Sequence, residues 1–180
     1  MILIQDEYFD EKTFKAIQEY CNQDFKIIKR GEKDFSVLET PIDLIPVLQK
    51  KGYKLIKTFI RSASSDFDTD LRIHADNIIE GHKTALASVF YINGQEVSTN
   101  GTCFYDHQLY GQKLPDVSNE EFDRLITNDS NDSNKWVMTD MVFSRPNRML
   151  LYDSQMFHAK FPQKIEKGTR KVMVCFYSKE

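Results

Sequence analysis

The stretch TALASVFYIN, residues 84–93, has the β-branched and aromatic composition of a strand in a β-sheet. Similar short runs, separated by turn-forming residues, lie on both sides of it. They are YKLIKTFIRSAS (53–64), LRIHAD (71–76) and GTCFY (101–105). Several short strands in succession are typical of a β-sandwich or barrel. The sequence therefore predicts a mainly β fold of this kind.

The β pattern continues to the C-terminus after a polar insert at residues 106–135. Within the insert, Ser118 followed by Glu121 forms a capping-box pattern, which predicts a helix over about residues 118–126. The following TNDSNDSNK, residues 127–135, predicts a flexible loop within the domain. The closing strands are predicted in WVMTDMVFS (136–144), RMLLYD (148–153) and RKVMVCFYS (170–178).

The first 52 residues predict a mixed region that supports the β core. Asp10 is a favourable N-cap, and Phe14 and Ile17 lie on one apolar stripe, so we expect a helix from Asp10 to about Cys21. Shorter elements are expected as strands at 2–4, 25–28 and 35–38 and a helix at 41–49. A length of 180 residues favours a single domain, residues 1–180, in which residues 1–52 support a core at 53–178.

The composition is that of a folded globular protein, with 41% hydrophobic and 28% charged residues. A net charge of -3 provides no general basic field, so a nucleic-acid partner is disfavoured. Three separated cysteines, Cys21, Cys103 and Cys175, would leave one thiol unpaired if two were bridged, which favours a reducing cytoplasm. The start MILIQDEYFDEK does not resemble a signal peptide, and no apolar run is long enough to span a membrane.

His74 and Asp76 are candidate ligands for a metal ion. They are two residues apart, and in an extended strand such positions project from the same face. His158, which follows the predicted strand at 148–153, supplies a third ligand if the fold brings these segments together. Two histidines and one carboxylate with open coordination positions are typical of non-haem iron(II) oxygenases. The sequence therefore predicts an iron site at His74, Asp76 and His158.

Arg170 is a candidate for binding a carboxylate. It opens the last predicted strand and shares a face with Val172 and Val174. A guanidinium on an inward apolar face needs an anion, and it can grip a carboxylate with two hydrogen bonds. Tyr91 is a second candidate, because small residues share its face and suggest space for a ligand.

These residues stand in a pattern that resembles the 2-oxoglutarate/iron(II) oxygenase superfamily, specifically its small prolyl-hydroxylase-like members. The resemblance covers residues 53–178. Its motifs read here as His74-Ala-Asp76, Phe90-Tyr91-Ile-Asn93, Gly101-Thr102-Cys-Phe104-Tyr105, the run from Asn147 to His158, and Arg170.

The resemblance implies a double-stranded β-helix, a jelly-roll or cupin-like barrel with N-terminal helices packed outside. It implies that His74, Asp76 and His158 bind Fe(II), that Arg170 binds the distal carboxylate of 2-oxoglutarate, and that Tyr91 bonds the same carboxylate. The implied activity is hydroxylation by O2 of an aliphatic C–H bond in a peptide, protein or amino-acid side chain, with succinate and CO2 as coproducts.

The chain departs from the family pattern in two places. Some relatives carry a serine two residues after the basic residue, where this chain has Val172, so Tyr91 is the expected hydroxyl partner of Arg170. The insert at 106–135 matches no part of the pattern and is a candidate lid or docking segment.

Two other functions remain open at the level of sequence. A cupin-like module would bind a metal or a small acid on the same barrel without turnover. A zinc hydrolase would need a general base, and the sequence offers no HExxH-type helix. The other histidines, His82 and His107, have polar neighbours and are expected to be solvent-exposed, outside the site.

Overall fold

A computed structural model describes residues 1–30, 33–68, 72–93 and 100–180. The helices in this part of the chain are α1 (Glu11–Tyr20), α2 (Ile45–Leu48) and α3 (Asn119–Asn128), with 3-10 turns at Ile42–Leu44 and Ser133–Lys135. The strands are β1 (Ile2–Gln5), β2 (Lys26–Arg30), β3 (Lys33–Glu39), β4 (Tyr53–Ala63), β5 (Ile78–Ile79), β6 (His82–Lys83), β7 (Leu86–Tyr91), β8 (Gly101–His107), β9 (Trp136–Phe143), β10 (Arg148–Asp153), β11 (His158–Phe161) and β12 (Arg170–Lys179).

These strands form two main antiparallel sheets and a small hairpin. The larger sheet has the order β1-β10-β7-β12-β4-β3-β2, and the smaller sheet has the order β11-β8-β9. Strands β5 and β6 pair only with each other. The prediction of a mainly β fold is confirmed, and the two antiparallel sheets are consistent with a jelly roll.

The buried side chains divide into three clusters that define the layers of the fold. One cluster joins the outer face of the large sheet to the N-terminal region through Ile17 of α1 and Leu48 of α2. A second fills the interior between the sheets and contains Val172 and Val174 of β12. The third joins the outer face of the small sheet to Leu125 of α3. The insert and the N-terminal region therefore cover opposite sides of the sheets.

Helices α1 and α3 begin close to where their capping residues predict. The Asp10 carboxylate accepts a hydrogen bond from the Thr13 backbone N–H at 2.9 Å. The Ser118 hydroxyl accepts one from the Glu121 N–H at 3.2 Å. The Glu121 carboxylate, however, accepts a hydrogen bond from the Tyr110 hydroxyl at 2.6 Å, so it fastens the helix to the preceding loop.

The predicted strand at 71–76 differs from the structure. Its first residue, Leu71, lies outside the described residues, and the segment after it forms only an isolated bridge, between His74 and His158. Strand β11 was not expected, because its four residues carry little strand signal of their own. None of the helices in the described ranges has the length and apolar character of a membrane span.

Candidate metal and cosubstrate site

His74 and His158 are joined through their backbones although they lie far apart in the chain. The His74 N–H donates to the His158 carbonyl at 3.0 Å, and the His158 N–H donates to the His74 carbonyl at 2.8 Å. The Asp76 N–H donates to the Ser154 carbonyl at 2.9 Å and holds the segment beyond the bridge. Backbone pairing therefore places both histidines and the carboxylate at one edge of the small sheet.

The three side chains converge on one point. His74 Nε2 lies 3.6 Å from Asp76 Oδ1, and His158 Nε2 lies 3.4 Å from Asp76 Oδ2. One ligand atom from each residue lies within 4.8 Å of the others, and no other such group of three exists in the described part of the chain. The Asp76 and His158 side chains are 10% and 8% exposed, and the His74 side chain is 29% exposed. The predicted triad is therefore assembled, with one open side.

Both imidazoles are oriented by hydrogen bonds to backbone carbonyls. His74 Nδ1 lies 3.1 Å from the Arg72 carbonyl, and His158 Nδ1 lies 2.9 Å from the Met156 carbonyl. A carbonyl oxygen only accepts, so each Nδ1 carries a hydrogen, and in the neutral form of each ring the lone pair is on Nε2. This tautomer is the one that a metal-binding histidine uses, and the donor set therefore fits a divalent cation.

Arg170 is buried in the interior at the start of β12. Its Nη2 donates to the Gly101 carbonyl at 3.3 Å and lies 3.5 Å from Thr102 Oγ1. Its Nε has no hydrogen-bond partner, and no ion pair to Arg170 occurs among the described residues. Burial lowers the pKa of the guanidinium, although such a group stays charged in proteins. An unpaired donor on a buried cation fits a carboxylate ligand.

Tyr91 lies beside Arg170, and its hydroxyl is also within hydrogen-bonding distance of Thr102. The Tyr91 hydroxyl lies 2.8 Å from Thr102 Oγ1, and the Arg170 guanidinium lies 5.7 Å from the centre of the Tyr91 ring. Burial raises the pKa of Tyr91, so its hydroxyl stays protonated. Thr102 is thus a further polar group at this end of the site. The sequence could have indicated Thr102, because it lies two residues before Phe104 and the two side chains therefore share one face of the strand.

Strand β8 relates the triad to Arg170. His158 is paired with Phe104, and Thr102 lies two residues before Phe104 in the same strand. A strand rises about 3.3 Å per residue, so the Arg170 end lies roughly 7 Å along the sheet from the position paired with His158. This spacing suits a short dicarboxylate with one end at the triad and the other at Arg170.

Tyr152 also reaches the triad, which was not anticipated from the sequence. Its hydroxyl lies 3.0 Å from His158 Nε2, and the residue is only 2% exposed. Burial raises the pKa of Tyr152 well above its usual value. The signal in the sequence was the alternation of RMLLYD, which places Tyr152 and Leu150 on the same face of β10.

A cavity of about 760 Å³ opens beside the triad, and both His74 and Asp76 line it. Strands β3 and β4 form one side, and Phe122 and Ile126 of α3 contribute to its lining from the insert. The aromatic surface is provided by Phe35, Phe59, Phe122 and Phe176. The insert therefore contributes directly to the space next to the metal-ligand candidates.

Two ion pairs lie at this cavity. Lys57 pairs with Glu80. Arg61 donates from Nε and Nη2 to the two oxygens of Asp68 at 2.7 and 2.5 Å, and its guanidinium lies 5.2 Å from the centre of the Phe35 ring. Lys57, Glu80 and Arg61 all line the cavity. It therefore presents charged groups of both signs together with aromatic rings.

One detail of the sequence interpretation was wrong, and it concerns a histidine outside the site. His107, expected to be exposed, is 3% exposed. Its Nε2 lies 3.2 Å from the Asp129 carboxylate, which satisfies the buried ring. By contrast, His82 is exposed, as predicted.

Comparison with known proteins gives matches in structure but not in sequence. No protein-family model matches the chain, and no curated protein matches it by sequence. HygX from Streptomyces hygroscopicus, in a structure with nickel, 2-oxoglutarate and hygromycin B bound, has a TM-score of 0.62 at 12% identity, over 99% of this chain and 82% of HygX.

Other similar structures are enzymes with different reactions. The α-ketoglutarate-dependent epimerase SnoN from nogalamycin biosynthesis has a TM-score of 0.62 at 12% identity, over 99% of this chain and 78% of SnoN. A prolyl-4-hydroxylase from Pseudomonas putida has a TM-score of 0.59 at 8% identity, over 99% of this chain and 92% of that enzyme. The chain therefore has the fold of these enzymes, which is the fold that the resemblance in its sequence implies.

Proposed function

We propose that the chain is an iron(II)- and 2-oxoglutarate-dependent dioxygenase that hydroxylates an aliphatic C–H bond of a peptide, protein or amino-acid side chain. The observation that carries the proposal is the convergence of one ligand atom each from His74, Asp76 and His158, with both Nδ1 atoms directed at backbone carbonyls. These three residues would hold Fe(II). Bound together, iron(II) and 2-oxoglutarate supply the activation of O2 for C–H oxidation and release succinate and CO2.

Arg170 would hold the distal carboxylate of 2-oxoglutarate. Its buried guanidinium has an unpaired Nε, and Thr102 and Tyr91 place two hydroxyl groups at the same end of the interior. Charge-assisted hydrogen bonds in a buried site are strong and directional, so this group fixes the orientation of the cosubstrate before the reaction. The spacing along β8 supports binding of both ends of one molecule.

The substrate would bind in the cavity next to His74 and Asp76. Its phenylalanine rings suit an apolar chain, and the Lys57–Glu80 pair and Arg61 suit charged groups of a peptide or amino acid. Helix α3, which belongs to the insert, forms part of the wall of this cavity.

Hydroxylation is the reaction we propose among those found on this fold. Support comes from the prolyl-4-hydroxylase of similar structure, which this chain covers over 92% of its length. We further propose that residues 53–178 form a double-stranded β-helix core and that the whole chain is a single domain. The cytoplasmic location expected from three separate cysteines stays a prediction, and all three are free and buried.

The test is formation of the complex without oxygen, followed by turnover in air. Anaerobic addition of Fe(II) and 2-oxoglutarate should give a weak visible charge-transfer band, and air should then yield succinate even without substrate. His74→Ala should abolish the band, because it removes one of only three protein ligands. His82→Ala is the matched control, since this exposed histidine lies outside the triad, and it should keep the band.

Absence of both the band and succinate would overturn the proposal. A band without succinate in air, with or without candidate peptides, would favour a cupin-like binding module over an enzyme. With a true substrate, mass spectrometry should find a gain of one oxygen atom. An isomerised or cyclised product without added oxygen would contradict hydroxylation while leaving the metal and cosubstrate sites intact.

A further inference from the structure

The Tyr152 hydroxyl is hydrogen-bonded to His158 Nε2, the atom that would coordinate the proposed metal. His158 Nδ1 is 2.9 Å from the Met156 carbonyl, so a hydrogen is on Nδ1, and in the neutral ring, which is the form that binds a metal, Nε2 is the acceptor. The Tyr152 hydroxyl, 3.0 Å from Nε2, is therefore the donor. A metal ion coordinated by His158 uses the same lone pair. Tyr152 and the metal thus compete for one atom.

The Tyr152 side chain has little freedom to leave the site. Its ring packs edge-on against Phe104 with centroids 5.2 Å apart and against His158 at 4.8 Å. On the neighbouring strand it lies opposite Ala87. The residue is 2% exposed, so a hydroxyl displaced from His158 stays buried and needs a new acceptor close by.

No other hydrogen bond of this hydroxyl occurs within the described residues. Phenylalanine would fill the same volume without a buried polar atom, so packing alone does not account for the hydroxyl. Its contact is with an atom of a metal-ligand candidate, and the groups that arrive with the metal are oxygen ligands. An anionic oxygen is the strongest acceptor that a phenol can meet there.

We propose that Tyr152 is a positioning residue of the metal centre, whose hydroxyl leaves His158 Nε2 when metal binds and then donates to the metal-coordinating carboxylate of 2-oxoglutarate. This inference rests on the proposed function. It has two consequences of opposite sign: the hydroxyl lowers the affinity for metal alone, and it raises the affinity of the metal-loaded protein for 2-oxoglutarate.

The test is Tyr152→Phe in the full chain, with two separate binding measurements. Calorimetric titration with Mn(II) should show tighter metal binding by about five-fold, because a competing hydrogen bond is lost. Anaerobic titration of the Fe(II)-loaded protein with 2-oxoglutarate, followed by its visible band, should show weaker binding by about ten-fold. A purely structural role would not move the two constants in opposite directions.

Tyr177→Phe is the matched control. Tyr177 is fully buried, and its hydroxyl donates to the Leu48 carbonyl at 2.8 Å, in the cluster on the other face of the large sheet. This variant loses an equivalent hydrogen bond and should change neither binding constant. Thermal unfolding of both variants establishes that they are folded.

The outcomes separate this inference from the proposed function. If the wild-type protein binds neither Mn(II) nor Fe(II), both are overturned. If it binds metal and 2-oxoglutarate but Tyr152→Phe leaves both constants unchanged, weakens both, or changes only one, the inference is overturned and the metal centre stands. Tighter metal binding together with weaker 2-oxoglutarate binding supports it.

Discussion

Arg170 is a fully charged side chain on an otherwise apolar inner face. Its neighbours along β12 on that face, Val172 and Val174, belong to the interior cluster. Two acceptors, the Gly101 carbonyl and the Thr102 hydroxyl, are at 3.3 and 3.5 Å, which are long distances for a guanidinium. An arginine in this setting is better satisfied by an anionic ligand than by the protein alone.

Replacing Arg170 with alanine should raise the dissociation constant of 2-oxoglutarate about 100-fold, because a charge-assisted, two-pronged hydrogen bond is lost. Metal affinity should be largely kept, since the triad is untouched. The measurement is the 2-oxoglutarate dependence of the anaerobic visible band. Lys171→Ala is the control, because Lys171 donates to the Cys21 carbonyl away from the interior. An unchanged 2-oxoglutarate requirement in Arg170→Ala would remove Arg170 from this role.

Spacing along the chain and the family resemblance together predicted the triad and Arg170, but not Thr102 or Tyr152. His74 and Asp76 follow the two-residue repeat of an extended segment, and that repeat holds in the structure. Thr102 and Tyr152 reach the site because of which strands are neighbours and in which register. The pairing of distant strands depends on the whole sheet. The sequence around Thr102 and Tyr152 therefore gave little indication that these residues reach the site.

At the scale of elements, the polar insert braces the segment that carries His74. The Ile73 N–H donates to the Ser130 carbonyl at 3.1 Å, so the predicted loop bonds directly beside a metal-ligand candidate. The Trp136 indole N–H donates to the Asp129 carbonyl at 2.7 Å, and His107 contacts the Asp129 carboxylate. Composition alone predicted flexibility there, because it does not register such long-range bonds.

His107→Ala should lower the free energy of unfolding by about 2 kcal/mol, because it leaves a hole beside Trp136 and removes the buried partner of Asp129. Urea unfolding followed by fluorescence measures the change. His82→Ala, at an exposed position, should stay within about 0.5 kcal/mol of the wild type. Equal stability of the two variants would show that His107 does not brace the insert.

At the scale of the whole molecule, the candidate site combines residues from both sheets. The triad comes from the edge of the small sheet, whereas Arg170 comes from the large sheet. A ligand that binds both ends therefore ties the two sheets together, and it binds only the folded chain. Binding restricted to the folded state stabilises it by mass action.

Metal and 2-oxoglutarate should together raise the Tm by about 10–20 °C when each is present at about 100 times its dissociation constant, given a stabilisation of about 2.7 kcal/mol from each ligand and the unfolding entropy of a chain this size. Differential scanning fluorimetry under anaerobic conditions measures the shift, and a chelator should reverse it. His74→Ala should show a much smaller shift. A comparable shift in that variant would mean that the metal binds elsewhere.

The architecture could be predicted from the sequence where a strand has a long run of β-forming residues. It could not be predicted where a strand forms only because it pairs with a distant segment. The strands β4, β7, β10 and β12 follow from long β-forming runs, and the mainly β class follows from them. Strand β11 has only four residues, and it exists because it pairs with β8 and receives the bridge from His74. The smaller sheet is thus specified by distant partners rather than by its own composition.

The backbone bridge between His74 and His158 can form only after both segments have been synthesised. His74 and Asp76 leave the ribosome well before His158, and Arg170 follows later still. During synthesis the early pair offers only two of the three proposed ligands, too few to select and keep an iron ion. If the chain binds iron as proposed, loading is a late step that follows delivery and pairing of its C-terminal strands. On this proposal, a newly made protein would stay free of a redox-active metal until the segments that carry His74 and His158 have paired.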